Sequence, residues 1–354
     1  MRVLVTGGAG FVGSNLALMW KRDRPADLVV ALDNLRRRGS ELALARLMAG
    51  GVEFRHGDIR ISADLAELGP FDLMLECSAE PAVSAGYDGG AAYVIDTNLT
   101  GTVNCLHEAR RHGAALVFLS TSRVYPIRRL ADLPLETRGE RMTLSPGASG
   151  PGWSSAGIAE DFPLDGARSL YGATKLASEL IIEEFRAMYG LRAVINRCGV
   201  IAGPWQMGKV DQGFLVLWAA RHLYGGRLAY LGYGGHGHQV RDVLHIADLY
   251  DLVRIQVEDI ARHGDGVYNV GGGAAVSTSL AELTRLCVAA TGKRIAIGSE
   301  VETRTADVPY YVTDNRKVSA ASGWRPQRDM NRIVGDVVEW LGKHESVLRP
   351  ILGA

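Results

Sequence analysis

The chain has 354 residues, of which 47% are hydrophobic and 22% are charged, and its 39 basic side chains balance its 39 acidic ones. This composition is typical of a globular protein with more than one lobe, and the balanced charge gives no indication of a nucleic-acid or membrane partner. The four cysteines lack metal-ligand spacing, and no apolar run approaches the ~18 residues of a membrane span. We expect a cytoplasmic protein without disulfides or metal.

Apolar runs alternate with helix-like segments in the first part of the chain. The predicted strands are Arg2–Val5, Leu28–Leu32, Val52–Arg55, Leu73–Glu76, Leu116–Ser120 and Ala193–Arg197, and the helices between them include Phe11–Arg22, Ala91–Arg111 and Ser169–Tyr189. Because the runs are continuously apolar, they indicate strands that are covered on both faces. The alternation predicts an α/β fold with a doubly wound parallel sheet of the Rossmann type.

A glycine-rich turn connects the first strand to the first helix. In VLVTGGAGFVGSNLAL, Gly8, Gly10 and Gly13 have the G-x-G-x-x-G spacing, which lets backbone N–H groups approach a pyrophosphate at a helix N-terminus. Asp33 ends the second strand, where a carboxylate would hold a ribose 2′-hydroxyl and repel a 2′-phosphate. This favours NAD over NADP, although the basic run Arg36–Arg38 favours the opposite choice. A turn that serves only chain reversal is the structural alternative.

These features predict the division of the chain into domains. We expect residues 1–195 to form the NAD-binding domain, including a long Pro-, Gly- and Ser-rich loop at 126–168, and loops of this length are usually functional or mobile. Residues 196–354 are expected to form mainly a smaller α/β substrate lobe, from which about 238–262 and the C-terminal helix pack back on the first domain.

Three polar side chains form a candidate catalytic set. Strand five runs into STSRVY, which places Thr121 or Ser122 at the carboxyl end of the sheet, where ligands bind in open α/β folds. Further on, SLYGATK places Tyr171 and Lys175 one helical turn apart. An ammonium and a nicotinamide cation would lower the phenol pKa from its usual value near ~10. Tyr171 would then take a proton from a sugar hydroxyl whose oxygen Thr121 holds.

A surface helix is the alternative explanation of the same spacing. At roughly 100° per residue, Lys175 begins a charged stripe with Glu179, Glu183 and Arg186, beside an apolar stripe of Ala173, Ala177 and Leu180. Such a stripe would make Lys175 a solvated lysine with an i, i+4 partner. Tyr171, however, lies above Ser178, Ile182 and Phe185, so its face is not plainly solvent-exposed. The glycine turn and the Thr121 strand end together favour catalysis.

The segments TGGAGFVG, STSRVY and YGATK resemble the extended short-chain dehydrogenase/reductase family, specifically its NAD-dependent nucleotide-sugar epimerases and dehydratases, along nearly the entire chain. This resemblance implies a tightly bound NAD, with Thr121 as the catalytic hydroxyl, Tyr171 as the acid/base and Lys175 as its orienting cation. Asn98 in TNLTG matches the asparagine that often completes the set. The residues expected at the cofactor are Gly7, Gly8, Gly10, Phe11, Val12, Gly13, Asp33, Asn34, Arg38, Asp58, Ile59, Ser78, Ala79, Tyr171 and Lys175.

The same resemblance addresses the sugar chemistry. The family's 4,6-dehydratases carry Asp-Glu after the catalytic threonine, whereas this chain has Ser122-Arg123, which argues against dehydration. HQVRDVLHIADLYDLV and RTADVPYYVTDNRKVSAASGW resemble segments whose arginines grip the nucleotide diphosphate, here Arg241 and Arg304; a guanidinium fork suits this role, and an ordinary surface charge is the alternative. The residues expected at the substrate are Glu80, Ser122, Arg123, Asn196, Lys209, Gln212, His238, Arg241 and Arg304.

Several longer stretches resemble one branch of the family in particular. DNLRRRGSELALARL, SAEPAV, NRCGVIAGPWQMGKVDQG and GYGGHGHQVRD are closer to the CDP-tyvelose (CDP-paratose) 2-epimerases than to the UDP-galactose 4-epimerases. This implies hydride removal from C2 of a CDP-hexose and return to the opposite face of a 2-keto intermediate. A UDP- or other NDP-sugar 4-epimerase and a non-catalytic NAD-binding sensor are the alternatives. A homodimer or homotetramer is expected.

Overall fold

The computed structural model describes residues 1–87, 89–208 and 212–353. The strands, in chain order, are β1 (Arg2–Thr6), β2 (Leu28–Asp33), β3 (Glu53–His56), β4 (Leu73–Glu76), β5 (Ala115–Thr121), β6 (Leu135–Arg138), β7 (Arg141–Leu144), β8 (Trp153–Ser154), β9 (Gly157–Ile158), β10 (Ala193–Cys198), β11 (Val200–Ala202), β12 (Leu228–Leu231), β13 (Val240–His245), β14 (Val267–Val270), β15 (Ser277–Ser279), β16 (Ile297–Glu300) and β17 (Tyr310–Tyr311).

The α-helices are α1 (Phe11–Asp23), α2 (Ala43–Ala49), α3 (Ser62–Ala66), α4 (Ala91–Ile95), α5 (Gly101–His112), α6 (Ile127–Ala131), α7 (Leu170–Tyr189), α8 (Phe214–Tyr224), α9 (Ile246–Glu258), α10 (Ile260–His263), α11 (Leu280–Thr291), α12 (Arg316–Ser322), α13 (Met330–Lys343) and α14 (Glu345–Leu352). A π-helical turn, Asp96–Thr100, joins α4 to α5, and short 3-10 turns lie at Ser40–Leu42, Ser122–Val124, Tyr233–Gly235 and Ala274–Val276.

The chain folds into two compact units. Unit 1 consists of Met1–Val124, Leu170–Arg197 and Tyr250–Tyr268, and unit 2 of Tyr125–Ser169, Cys198–Leu249 and Asn269–Ala354. Residues 126–168 lie in unit 2, whereas we expected them in the NAD-binding domain. Residues 250–268 lie in unit 1 and overlap the segment, about 238–262, that we expected to pack back on the first domain.

Unit 1 is built around a seven-stranded sheet with the strand order β14-β10-β5-β4-β1-β2-β3. The neighbours of β1 run parallel to it, so that Val3 lies opposite Val29 on one side and Leu73 on the other. The predicted doubly wound α/β fold is therefore confirmed, with β14 as a strand that the sequence analysis did not predict. The strand order reverses between β1 and β4, and ligands bind at such reversals in open α/β sheets.

Both faces of this sheet are buried, as the continuously apolar strands predicted. On one face, side chains such as Leu4 and Phe118 join Leu106 of α5 and Ile182 of α7 in a single hydrophobic cluster. Side chains alternate between the faces of a strand, and the intervening Val3 is also completely buried. The core thereby fixes α7, the helix that carries SLYGATK, against the middle of the sheet.

Two predicted segments have a different local structure. The helix expected over 91–111 is interrupted, because the π-helical turn Asp96–Thr100 separates α4 from α5. π-helical turns of this kind are frequent at functional sites. The expected loop 126–168 contains α6 and two antiparallel hairpins, β6–β7 and β8–β9.

Unit 2 contains a small sheet with β13 at its centre. β13 pairs with β11 in parallel and with β15 in an antiparallel register, and β17 also pairs with it. Helices α8, α11, α13 and α14 pack together, and α11 begins with a capping box in which Ser279 and Glu282 exchange hydrogen bonds. This sheet holds Arg241 on β13 and brings it beside Tyr311 of β17.

Three further observations concern membrane spans, metal ligands and cysteines. None of the helices that the structure describes is long and apolar enough to cross a membrane, and its described residues contain no group of three or more His, Cys, Asp or Glu side chains arranged to hold a metal ion. The four cysteines, all within the described residues, form no disulfide.

Candidate active site

The turn after β1 is shaped by close backbone contacts. Gly7 has a positive φ of 62°, and a Cβ atom at this position would lie 2.8 Å from the carbonyl oxygen of Cys77, beyond the end of β4. A Cβ at Gly13 would lie 2.2 Å from the carbonyl oxygen of Gly7. Gly10 caps α1 without a side-chain hydrogen bond, so backbone N–H groups at the helix N-terminus remain directed at the space where an anion binds.

The predicted ribose carboxylate lies beside this turn. Asp33 is largely buried and accepts backbone hydrogen bonds from Ala9 at 3.1 Å and from Leu35 at 2.8 Å. Burial raises the pKa of Asp33, and these hydrogen bonds oppose the rise. Because each carboxylate oxygen has two lone pairs, both oxygens retain capacity to accept a hydroxyl hydrogen.

Asp58 is held in a network beyond β3. Its carboxylate receives hydrogen bonds from Arg60 at 2.6 Å and from Asn34 at 2.9 Å. These contacts, with Arg60 as the largest cause, lower the pKa of Asp58 to about 2. Asp58 is therefore an anchored anion, and Asn34 also has its amide engaged there. Ile59 is buried next to them.

The basic run after β2 does not form a uniform phosphate site. Arg38 is exposed, while Arg36 stacks on the Tyr93 ring with its guanidinium carbon 3.9 Å from the ring centroid. Arg60 stacks on the same ring at 4.9 Å.

Of the other residues predicted to contact the cofactor, Phe11, Val12 and Ala79 are half-buried and Ser78 is buried.

The three candidate catalytic residues lie on two elements that pack together, β5 and α7. Thr121 is the last residue of β5, and α7 packs against β5 and the following 3-10 turn. The Thr121 hydroxyl oxygen accepts a hydrogen bond from the backbone N–H of Arg123 at 3.1 Å, which leaves the hydroxyl hydrogen for another oxygen. Tyr171 is half-buried in the first turn of α7, one turn before Lys175.

Lys175 is not a solvated lysine. Only 1% of the residue is exposed, its ammonium lies 3.8 Å from the centroid of the Phe118 ring, and its Nζ is 3.6 Å from Oε2 of Glu76. The surface-helix alternative is therefore wrong. The stripe predicted as apolar is instead the exposed one, with Leu180 56% exposed, while Glu179 is buried.

Asn98 lies in the π-helical turn with its side chain already engaged. Its Oδ1 accepts from the backbone N–H of Glu80 at 2.8 Å, and its Nδ2 donates to the Glu80 carbonyl at 3.1 Å and to Thr174 Oγ1 at 3.3 Å. Its backbone carbonyl accepts from Ser178 Oγ at 2.9 Å. Asn98 therefore joins the segment after β4 to α7. Its hydrogen bonds fix the position of α7 rather than leave its side chain available to a substrate.

The predicted substrate residues of unit 1 divide into two groups. Glu80, Ser122 and Arg123 are half-buried beyond the carboxyl ends of β4 and β5. Asn196 does not belong with them, because it is completely buried and exchanges two 2.8 Å hydrogen bonds with the amide of Gln256. The substrate assignment of Asn196 was wrong, and its side chain is part of the core.

In unit 2, the Arg241 side chain contacts the turn that follows Arg304. The Arg241 guanidinium donates to Asp307 at 2.6 Å and to the carbonyl of Val308, and the Asp307 N–H donates to the Arg304 carbonyl at 3.0 Å. The Arg304 side chain is exposed.

The remaining predictions in this part of the chain are less closely grouped. His238 is half-buried and its carbonyl accepts from the Met142 N–H of β7 at 2.8 Å, and Gln212 is half-buried. Lys209 lies outside the described residues.

The model of the NAD dependent epimerase/dehydratase family matches residues 3–271. This range includes the glycine turn, Thr121, Tyr171 and Lys175. The chain belongs to this family.

Similar proteins show the range of activities within the family. CDP-paratose 2-epimerase of Salmonella typhi is 28% identical over 348 residues, which cover 96% of this chain and 99% of that protein. DesIV, a dTDP-glucose 4,6-dehydratase from Streptomyces venezuelae with bound NAD, has a TM-score of 0.79 at 29% identity and covers 99% of this chain and 100% of its own. UDP-glucose 4-epimerase of Thermus thermophilus in complex with NAD has a TM-score of 0.77 at 26% identity, covering 97% and 99%.

The predicted family, enzyme class and cofactor are confirmed by these similarities. The site also fits NAD by its own geometry. A Cβ at Gly8 would lie 2.6 Å from the Ala31 side chain. Only glycine therefore allows the turn after β1 to pack this closely against the neighbouring strand β2. The uncapped α1 N-terminus suits the pyrophosphate, and Asp33 suits a ribose hydroxyl.

A buried ion pair lies one turn beyond Lys175. Glu179 receives a bidentate contact from Arg197 of β10, with the shortest distance 2.7 Å, and a hydrogen bond from Ser120. Both ionic side chains are less than one-tenth exposed. The buried carboxylate therefore anchors α7 to β10 and to β5, directly before Thr121.

Glu179→Gln is expected to lower the free energy of unfolding by about 3–5 kcal/mol, because it leaves the Arg197 charge buried without its counter-ion. Denaturant-induced unfolding measures this change. Glu345→Gln is the matched control, since Glu345 pairs with Arg349 on an exposed helix face and its loss should cost at most about 1 kcal/mol. Equal costs for the two variants would contradict this assignment.

Sequence reasoning missed Glu76 and Phe118, which surround the Lys175 ammonium. The sequence feature that could have identified Glu76 is its carboxylate at the end of the apolar run LMLE of β4. A charged residue at the end of a buried strand requires a partner, and the sequence does not show which one.

Proposed function

We propose that this enzyme epimerises a nucleotide-diphosphate sugar, with CDP-hexose 2-epimerisation of the CDP-paratose/CDP-tyvelose type as its reaction. The observation that carries the proposal is the buried Lys175 one turn after the half-buried Tyr171, beside the Thr121 strand end. A non-catalytic sensor has no need of a buried ammonium beside a phenol, so this arrangement favours catalysis.

The residues have distinct roles in the proposed reaction. The Thr121 hydroxyl donates to the oxygen of the reacting sugar hydroxyl, and the Tyr171 phenolate removes its proton as the carbon is oxidised. The Lys175 ammonium favours the ionised phenol. NAD, held by the glycine turn and Asp33, would supply the hydride acceptor for the oxidation and the hydride donor for the reduction. Tyr171 gives the same proton back when the ketone is reduced on the opposite face, so the net reaction inverts one carbon and consumes nothing.

The sugar diphosphate is assigned to arginines of unit 2. Arg241 is held by Asp307 within the turn that also contains Arg304, and guanidinium groups bind phosphates in a bidentate manner. Asp307 would fix Arg241 in a single orientation before the phosphate arrives. The half-buried His238 at the start of this segment is a further proposed contact.

Epimerisation is favoured over dehydration by the residues after Thr121. Removal of water requires an additional acid and base near the sugar, and Ser122 and Arg123 supply neither a carboxylic acid nor a carboxylate. The proposed specificity for C2 of a CDP-hexose is supported by the similarity to the CDP-paratose 2-epimerase of S. typhi, which covers 96% of this chain and 99% of that protein. The UDP-glucose 4-epimerase similarity keeps C4 as the second candidate position.

Product stereochemistry tests the proposal. The purified enzyme is incubated with CDP-, UDP-, GDP- and dTDP-hexoses, and NMR identifies the carbon whose configuration is inverted. We expect inversion at C2 of a CDP-hexose with NAD unchanged at the end of the reaction. Inversion at C4 alone would replace the 2-epimerase proposal with the 4-epimerase, and loss of water would contradict both.

A further inference from the structure

Glu76 occupies a position where a charge is costly. It is the last residue of β4, at the reversal of the strand order, and its side chain is completely buried. Among the described residues neither carboxylate oxygen makes a hydrogen bond of ordinary geometry, and Lys175 Nζ lies 3.6 Å from Oε2. Burial raises the pKa of the Glu76 carboxyl, and the Lys175 ammonium and the Ser78 backbone N–H oppose this rise. The opposite charge of Lys175 therefore stabilises the buried carboxylate.

The surroundings of the pair are largely apolar. The Phe118 ring lies beneath the ammonium, and Thr6 of β1 lies opposite Glu76 in the sheet register. The Cys105 thiol of α5 is fully buried, and desolvation together with the Glu76 charge raises its pKa, which keeps it neutral. The elements packed around the pair also carry titratable and charged groups, among them Cys105 and Glu108 on α5, Tyr171 and Glu179 on α7 and Arg197 on β10.

We propose that Glu76 is a positioning residue that keeps the Lys175 ammonium charged and directed at Tyr171. Burial alone disfavours the charged form of an amine, and an adjacent carboxylate favours it. The ammonium in turn favours the ionised Tyr171 phenol, so the charge of Glu76 reaches the phenol through Lys175. The inference rests on the roles assigned above to Tyr171 and Lys175, and it adds the buried group that maintains them.

Glu76→Gln removes this charge while preserving the shape of the side chain. In the NAD-loaded variant we expect the midpoint of Tyr171 ionisation to rise by about one pH unit or more. The ionisation is followed by tyrosinate absorbance against pH, and subtracting the same titration of the matching Tyr171→Phe protein isolates the Tyr171 signal. No sugar is required, so the result is independent of whether the proposed substrate is correct.

The same substitution in a Lys175→Met protein shows whether Glu76 affects the Tyr171 midpoint through Lys175 or by another route. In Lys175→Met protein, adding Glu76→Gln is expected to produce no further shift of the Tyr171 midpoint, because the connecting ammonium is absent. Glu108→Gln is the matched control on α5, where Glu108 lies near Arg111 and His112, and it should leave the midpoint unchanged. Circular dichroism and the amount of NAD retained verify that each variant is folded.

Two results would overturn the proposal. One is an unchanged or lowered Tyr171 midpoint in Glu76→Gln, and the other is an equal upward shift that persists without Lys175. If Glu76→Gln does not fold, Glu76→Asp withdraws the carboxylate by one methylene and is expected to shift the midpoint in the same direction by a smaller amount. An unchanged midpoint in a folded Glu76→Asp protein would then count against the proposal.

Discussion

Replacing Tyr171 by phenylalanine is expected to lower kcat by about 10²–10⁴-fold, the usual contribution of a general acid–base group. The ring is retained and only the hydroxyl is removed, so the half-buried start of α7 keeps its packing. The amount of NAD released on denaturation should match that of wild type. The rate is measured as formation of the inverted sugar from the nucleotide sugar that the wild-type enzyme converts.

Tyr189→Phe is the matched control on the same helix. Tyr189 is the last residue of α7, where its ring contacts Phe185 and the Arg110 guanidinium, the latter 3.7 Å from the ring centroid. It lies far along the helix from Lys175, and we expect wild-type kcat. A Tyr171→Phe enzyme as fast as this control would show that another group takes the sugar proton.

The central sheet was predictable because its sequence signal is local. Each strand covered on both faces appears as a short continuous apolar run, and the glycine spacing fixes the turn after the first of them. The strand Leu73–Glu76 was predicted with its observed bounds. β14 was missed because Val267–Val270 is short and contains Asn269, which interrupts the apolar run.

The orientation of α7 could not be predicted from its own residues. The charged stripe that includes Lys175 and Glu179 looks solvent-exposed on a helical projection, yet both side chains are buried because their partners, Glu76 and Arg197, come from distant strands. Conversely, Leu180 looks like a core residue and is exposed. A projection shows which residues share a face and leaves open what that face contacts.

The resemblance supplied the residue type of Asn196 without its surroundings, and its expected contact with substrate is therefore not supported by the structure. Asn196 lies within a predicted strand, and a fully buried amide at such a position is satisfied by another side chain, here Gln256. The segment 126–168 shows the same limit. Its two-residue strands have no periodicity, and they are stabilised by distant contacts such as the hydrogen bond from Ile158 N–H to the Val312 carbonyl.

Gly13→Ala is expected to abolish retention of NAD and to lower the free energy of unfolding by about 1–3 kcal/mol, the usual cost of overpacking. The added Cβ would lie 2.2 Å from the Gly7 carbonyl oxygen and 2.9 Å from the Gly8 Cα. Both contacts are to backbone atoms of the turn itself, so the strain can be relieved only by moving the N–H groups that receive the pyrophosphate. NAD released from the denatured protein measures retention, and denaturant-induced unfolding measures stability.

The matched control is the same substitution at a helical glycine with open space. A Cβ at Gly335 of α13 would meet no atom within 4 Å, and Gly335→Ala should raise the free energy of unfolding by about 0.4–1 kcal/mol because alanine restricts the unfolded chain. The opposite signs at the two sites distinguish a steric effect on the turn from a general effect of adding a methyl group. A Gly13→Ala enzyme that retained NAD as wild type does would show that the turn after β1 does not hold the cofactor.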